Sequence, residues 1–172
     1  ANASGWVREA GSAASGNDNT SADPEILVAI GELSTSIGAA DITEVEMVTT
    51  TADKSEGFTI SVRVRYNEPV NVVTTGGTPT LAVTNSNAGS GSGRGPHSLS
   101  YASGTGTNEL IFSLAIAAAN AATNADDVLS VGAQTIALNS GTIKDASGTA
   151  SDAALVISGA LGTAAGSVTV TA

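Results

Sequence analysis

Phe58-Thr59-Ile60-Ser61-Val62-Arg63-Val64-Arg65-Tyr66 alternates strictly between apolar or aromatic residues and polar ones. Side chains on an extended backbone point to opposite faces in turn, so Phe58, Ile60, Val62, Val64 and Tyr66 share one face and Thr59, Ser61, Arg63 and Arg65 the other. The stretch therefore reads as a strand with one buried face. Leu110, Phe112, Leu114 and Ile116 repeat the pattern. Between these two strands, Pro69 marks an edge or a switch of partner, and Val70–Val73, Leu81 with Val83, and Leu99 with Tyr101 read as shorter strands. Turn residues separate them at Thr75-Gly76-Gly77-Thr78 and Gly104-Thr105-Gly106-Thr107-Asn108. Outward from this centre, strands are expected at Ile42–Thr51, Val128–Val131, Thr135–Leu138, Thr142–Lys144, Ala154–Ile157 and Val168–Thr171. Ala117–Asn124 is Ala-rich and reads as a short helical crossover. About nine short strands with turn residues between them predict an all-β sandwich or barrel.

The chain has 172 residues, enough for one domain with an appendage and for a core that needs no covalent staples. Charged residues make up 13% and aromatics 3%, so the core must be built from Val, Ile, Leu and Ala. With no cysteine, disulfides, thiolate nucleophiles and Cys-ligated metals are excluded. A net charge of −10 argues against binding nucleic acid through its phosphates. No apolar run is long enough to span a membrane as a helix. Ala1-Asn2-Ala3-Ser4-Gly5-Trp6 has neither a basic nor an apolar region of the signal-peptide kind, so none is expected in the sequence as written.

Residues 1–41 read as an N-terminal arm and 42–172 as the sandwich domain. The first 24 are rich in Gly, Ser, Asn and Ala, a composition that buries too little surface to order itself. Trp6-Val7 is the apolar anchor pair of that segment. Glu25-Ile26-Leu27-Val28-Ala29-Ile30 is a short apolar run between Pro24 and Gly31, readable as a strand or as a helical turn. Gly38-Ala39-Ala40-Asp41 reads as a linker. From Glu9 to Asp53 there are nine acidic residues and no basic one. This is either a solvated segment or a strap for a basic partner surface.

Three stretches carry a family resemblance. Asn67-Glu68-Pro69-Val70 leading to Thr75-Gly76-Gly77-Thr78-Pro79-Thr80-Leu81 is the first. Leu99-Ser100-Tyr101-Ala102-Ser103-Gly104-Thr105-Gly106-Thr107-Asn108-Glu109-Leu110-Ile111-Phe112 is the second, and Leu138-Asn139-Ser140-Gly141-Thr142-Ile143-Lys144-Asp145-Ala146-Ser147-Gly148 the third. Together, over about residues 53–158, they resemble a bacterial Ig-like repeat of the kind strung along large surface proteins, which implies an immunoglobulin-like β-sandwich. The family often has an Ala-Gly-Asp step after the Phe strand; here the chain reads Ala117-Ala118-Ala119-Asn120. Gly5-Trp6-Val7-Arg8-Glu9-Ala10-Gly11 followed by Glu25–Gly31 resembles the start of small structural proteins of tailed phages. An Ig-like domain with an anchoring arm is a common plan for capsid decoration proteins.

Chemistry is sparse. His97, the single histidine, stands in the Gly/Ser-rich loop Asn85–Pro96, a poor scaffold for a nucleophile–His pair. No Gly-x-Ser-x-Gly elbow and no phosphate loop is present. Asp126, Asp127 and Asp145 are the carboxylates that could serve as loop ligands for Ca²⁺, against the alternative that they end turns and accept backbone hydrogen bonds. Arg63 and Arg65 share one strand face and are expected to be solvated or paired with neighbouring acids. The sole tryptophan, Trp6, either covers an edge of its own domain or anchors an interface.

The resulting expectation is a non-enzymatic virion protein on the capsid exterior, without cofactor or membrane insertion. It is a decoration or cement subunit, a homo-oligomer or present in many copies within an assembly. Its arm (Trp6, Val7, Arg8, Ile26, Leu27, Val28 and Ile30) contacts the major capsid protein or another virion protein, and its displayed domain is a candidate for host-surface contact. The alternative is an Ig-like module of a bacterial cell-surface adhesion protein.

Overall fold

The structure is a computed structural model that describes residues 5–8, 21, 25–29, 39–86, 94–119, 122–146 and 150–172. The chain divides into two compact units, Ala1–Ile37 and Gly38–Ala172. In the first, β1 (Gly5–Arg8) pairs antiparallel with β2 (Glu25–Ala29), with Trp6 opposite Val28 and Val7 opposite Ile26. The apolar run is thus a strand, and the small-residue segment before it acquires order at Gly5–Arg8 because β2 supplies backbone partners. Ile30 lies outside the described residues.

The second unit is almost entirely strand, which establishes the all-β class. Its strands are β3 (Ile42–Met47), β4 (Ala52–Asp53), β5 (Gly57–Val73), β6 (Thr80–Asn85), β7 (His97–Ser103), β8 (Thr107–Ala117), β9 (Val128–Ser130), β10 (Gln134–Thr135), β11 (Thr142–Asp145), β12 (Val156–Ile157) and β13 (Ser167–Thr171). One sheet runs β11-β5-β8-β7-β6-β9-β13-β4, with β3 paired to β5 beside the path and β10–β12 forming a separate pair. The alternation of Phe58–Tyr66 runs on through Glu68 and Val70. Ile60, Val62, Val64 and Val70 are fully buried, and Phe112 and Leu110 face Val62 and Val64 from β8. Burying a side chain of this kind contributes about 1.5–3 kcal/mol. Tyr101 meets Phe112 edge-on, with ring centroids 6.1 Å apart. One apolar cluster draws on β3, β4, β5 to β9, β11 and β13, so the sheet curls around a single core.

Several sequence expectations are corrected. Pro69 does not end a strand: β5 runs through it, and its ladder with β8 shifts register between Arg65 and Val70. On the other side of β5 the partner changes there from β3 to β11, since Pro69 has no N–H to give to a ladder. Ala117–Asn124 is no helix among the described residues. β8 extends to Ala117, and the turn that follows holds Ala119 at φ 56°, outside the helical region. The helix is instead α1 (Gly159–Ala164), capped by Ser158, whose Oγ accepts from the Leu161 N–H at 3.3 Å. Its Gly162 is required by close approach, because a Cβ there would lie 2.7 Å from the Gly132 carbonyl carbon. Ala40 and Asp41, read as linker, belong to the second unit. Ala40 is buried and its carbonyl accepts from Ala154 N–H at 2.8 Å.

The course of β5 also separates the two ends of this unit. The chain comes in beside Asn67, whose N–H donates to the Asp41 carbonyl (3.0 Å) while Asp41 N–H donates to Asn67 Oδ1 (2.8 Å). It leaves beside Lys54, whose N–H donates to the Thr171 carbonyl at 3.1 Å, next to the start of β5 at Gly57. Ten residues of strand between Gly57 and Asn67, at about 3.3 Å each, put roughly 30 Å between these poles.

Candidate functional site

The pole at which β5 begins gathers the 54–56 turn, the described ends of the β6–β7 loop (86 and 94–96), residues 122–127 of the β8–β9 connection and the end of β13. A polar network joins them, centred on Asp127, which is completely buried. Its carboxylate accepts from Asn85 Nδ2 at 2.8 Å, from Asn124 N–H at 2.8 Å and from the Arg94 guanidinium, whose Nη2 makes the close contact and whose Nε lies 3.3 Å away. Asn124 then accepts from Lys54 Nζ through Oδ1 at 2.7 Å. The backbone is tied in as well: Val170 N–H donates to the Asp127 carbonyl (2.8 Å) and Asp126 N–H to the Val170 carbonyl (2.9 Å). Asp126 adopts φ 67°, a left-handed conformation that Asp tolerates, and stays exposed while its neighbour turns inward.

This arrangement braces loops. A buried carboxylate is costly unless paired and hydrogen-bonded, and here a bidentate guanidinium, an amide and a backbone N–H share that task. His97 is corrected by the structure. It is not a loop residue but the first residue of β7, opposite Val83, and only 5% exposed. Burial pushes its imidazole pKa below the usual value, partly opposed by the charge of Asp127. Its Nε2 has no hydrogen-bond partner among the described residues. A pocket of about 460 Å³ opens at this pole, lined by Lys54, Ser55, Ala119, Asn124, Ala125 and Ala172. At its margin Asp53 Oδ1 accepts from Ser55 Oγ (2.7 Å) and Ser55 N–H (2.8 Å), which hold the Asp53 carboxyl below its ordinary range, the hydroxyl contributing most.

The carboxylates weighed as candidate Ca²⁺ ligands are not brought together. Asp127 is engaged as described and Asp126 faces solvent. Asp145 is buried at the end of β11, opposite Val70, with its N–H donating to the Ser151 carbonyl. Among the described residues no group of three or more His, Cys, Asp or Glu is placed to hold a metal. Of the arm residues, Trp6, Val7 and Arg8 lie on β1 and Ile26, Leu27 and Val28 on β2.

A second charged cluster lies on the outer face of β3, β5 and β8. Arg65 Nη1 meets Glu44 at 2.6 Å and its Nη2 meets Glu109 at 2.6 Å, while Arg63 contacts Glu46 closely and Glu109 at 3.7 Å. The hydrogen bond from Arg65 lowers the Glu109 pKa and raises that of Arg65 itself. Part of the acidic run before Lys54 is thereby accounted for, since Glu44 and Glu46 are the partners of Arg65 and Arg63.

Sequence reasoning overlooked Asn85, Arg94, Lys54 and Asn124. One signal was present: Arg94 is the lone charge in a Gly/Ser/Asn loop, and a lone cation there invites a search for a buried acid. Comparison with family models, with curated proteins and with solved structures found no match to this chain.

Proposed function

We propose that the chain is a non-enzymatic structural protein, a capsid decoration subunit of a tailed phage. Its N-terminal unit docks on the major capsid protein or another virion protein, and its second unit, an immunoglobulin-like sandwich, is displayed on the capsid exterior. The observation that carries this reading is the polarity of the second unit. The chain comes in at one pole, and the braced loops around Asp127 stand at the other, about the length of ten strand residues away. A domain tethered at one end with a hydrogen-bonded network at the other suits display. The resemblance of Gly5–Gly11 and Glu25–Gly31 to phage structural proteins supports the docking role of the arm. Removing residues 1–37 should abolish incorporation into particles while the remaining chain keeps its far-ultraviolet circular dichroism and a cooperative unfolding transition. Normal incorporation of the shortened chain would overturn the proposal.

The same polarity favours a second reading, an Ig-like module of a bacterial cell-surface adhesion protein, because modules whose ends lie at opposite poles can be joined in series. Mass-spectrometric detection in purified virions, as against cell envelopes, separates the two.

A further inference from the structure

We infer that the Gly38–Ala172 unit is a load-bearing module, built so that tension between its ends shears its two terminal strands instead of peeling them. The inference rests on the second reading, in which the unit is joined in series and pulled at both ends, and it is argued from strand directions and pairing.

From the incoming pole β3 runs toward the braced pole, antiparallel to β5, from Ile42 opposite Tyr66 to Met47 opposite Val62. Tension on the incoming chain therefore acts along β3, at right angles to its hydrogen bonds with β5, and those bonds share the load. At the other end β13 runs out toward the braced pole. It is held on both sides: Ser167, Val168 and Thr169 pair antiparallel with Ser130, Leu129 and Val128 of β9, and Val170 and Thr171 pair parallel with Ala52 and Asp53 of β4. Thr171 Oγ1 adds a bond to the Ala52 carbonyl (3.1 Å), and Val170 N–H is fixed to the Asp127 carbonyl (2.8 Å). To leave, β13 must slide against two neighbours at once. One of its anchors is the residue on which the buried network converges. The parallel β4–β13 pairing contributes to this: two parallel strands do not form a hairpin that could be opened from one end.

The absence of cysteine makes the test direct. Two variants of the full chain carry paired cysteine handles at exposed positions, Ala39→Cys with Ala172→Cys, and Ala39→Cys with Thr75→Cys. The first pair loads the unit pole to pole. The second loads β3 and β5 from the same pole, so their bonds open one after another. Forced unfolding reports the unfolding barrier along the pulled direction, so the first pair should unfold at a force several-fold higher than the second at equal loading rate. Urea titration of both variants checks that their unloaded stabilities agree. A third variant, Ala39→Cys with Ser167→Cys, moves the handle to the exposed start of β13 and should lose most of the difference. Equal forces for the first two pairs, or a higher force for the second, would overturn the inference.

Discussion

Two sets of ion pairs in the second unit use the same side chains in opposite surroundings. At the braced pole, Arg94 and Asp127 are 14% and 0% exposed, and the pair joins two connecting segments outside the strands. On the outer sheet face, Arg63, Arg65, Glu44, Glu46 and Glu109 are 29–46% exposed and bridge strands already held by their own ladders. In the first set most water has been removed, so a lost partner leaves a charge that is poorly solvated. In the second, water and salt stand ready to replace a partner. Burial, not the number of contacts, separates a brace from a decoration of the surface.

The largest expected effect tests the buried set. Asp127→Ala removes the buried carboxylate that accepts from Arg94 and Asn85 and should cost about 3–5 kcal/mol, read as a lower urea midpoint at unchanged slope. Replacing both charges with apolar residues, Arg94→Met with Asp127→Leu, should cost less than Asp127→Ala alone. The reverse order would mean that the network stabilises by more than avoiding an unpaired charge.

An effect of intermediate size is expected from pH. The pKa of His97 is lowered in the folded chain by burial, so between its folded and unfolded values the unfolded state binds more protons and stability rises with pH. Its contribution is present in full above the unfolded value of 6.5 and is lost as pH falls through the folded one. Asp53 and Glu109, lowered by hydrogen bonds from Ser55 and Arg65, act in the same direction at more acid pH. Stability should therefore decline in two stages on acidification, and His97→Gln should flatten the first. A variant that keeps the first stage would remove His97 as its cause.

The smallest effect belongs to the exposed set. Arg65→Ala should leave the urea midpoint within experimental scatter in molar salt and lower it only slightly at low ionic strength. A salt-independent loss as large as that of Asp127→Ala would erase the distinction between the two sets.

Much of the fold was legible residue by residue. The alternation in Phe58–Tyr66 and Leu110–Ile116 named strands and their buried faces correctly, and the Gly-rich steps at Gly104–Gly106 and Asn139–Gly141 marked turns. Gly104 itself is demanded there, with φ 114° and a Cβ that would come 1.9 Å from the Glu109 carbonyl oxygen. The failures share a cause. The Ala-rich stretch after Ala117 has helical propensity, yet its start continues β8 against β5, because propensity is a weak preference that a ladder overrides. His97, by contrast, was judged by its Gly/Ser neighbours, while its burial depends on Val83 across the sheet.

The candidate site was scarcely legible. Asp126 and Asp127 stood out as carboxylates, but their partners did not. Asn85 and Asp127 are 42 positions apart, Arg94 and Asp127 33, and Lys54 and Asn124 70. The amino-acid sequence by itself determined that this chain makes strands with one buried face, because alternation is a local property of an extended backbone. Only the tertiary structure decided that those strands curl into one sheet with its ends at opposite poles, and that four separate segments meet on Asp127. Contacts across such separations follow from how the sheet closes, and no local spacing encodes that.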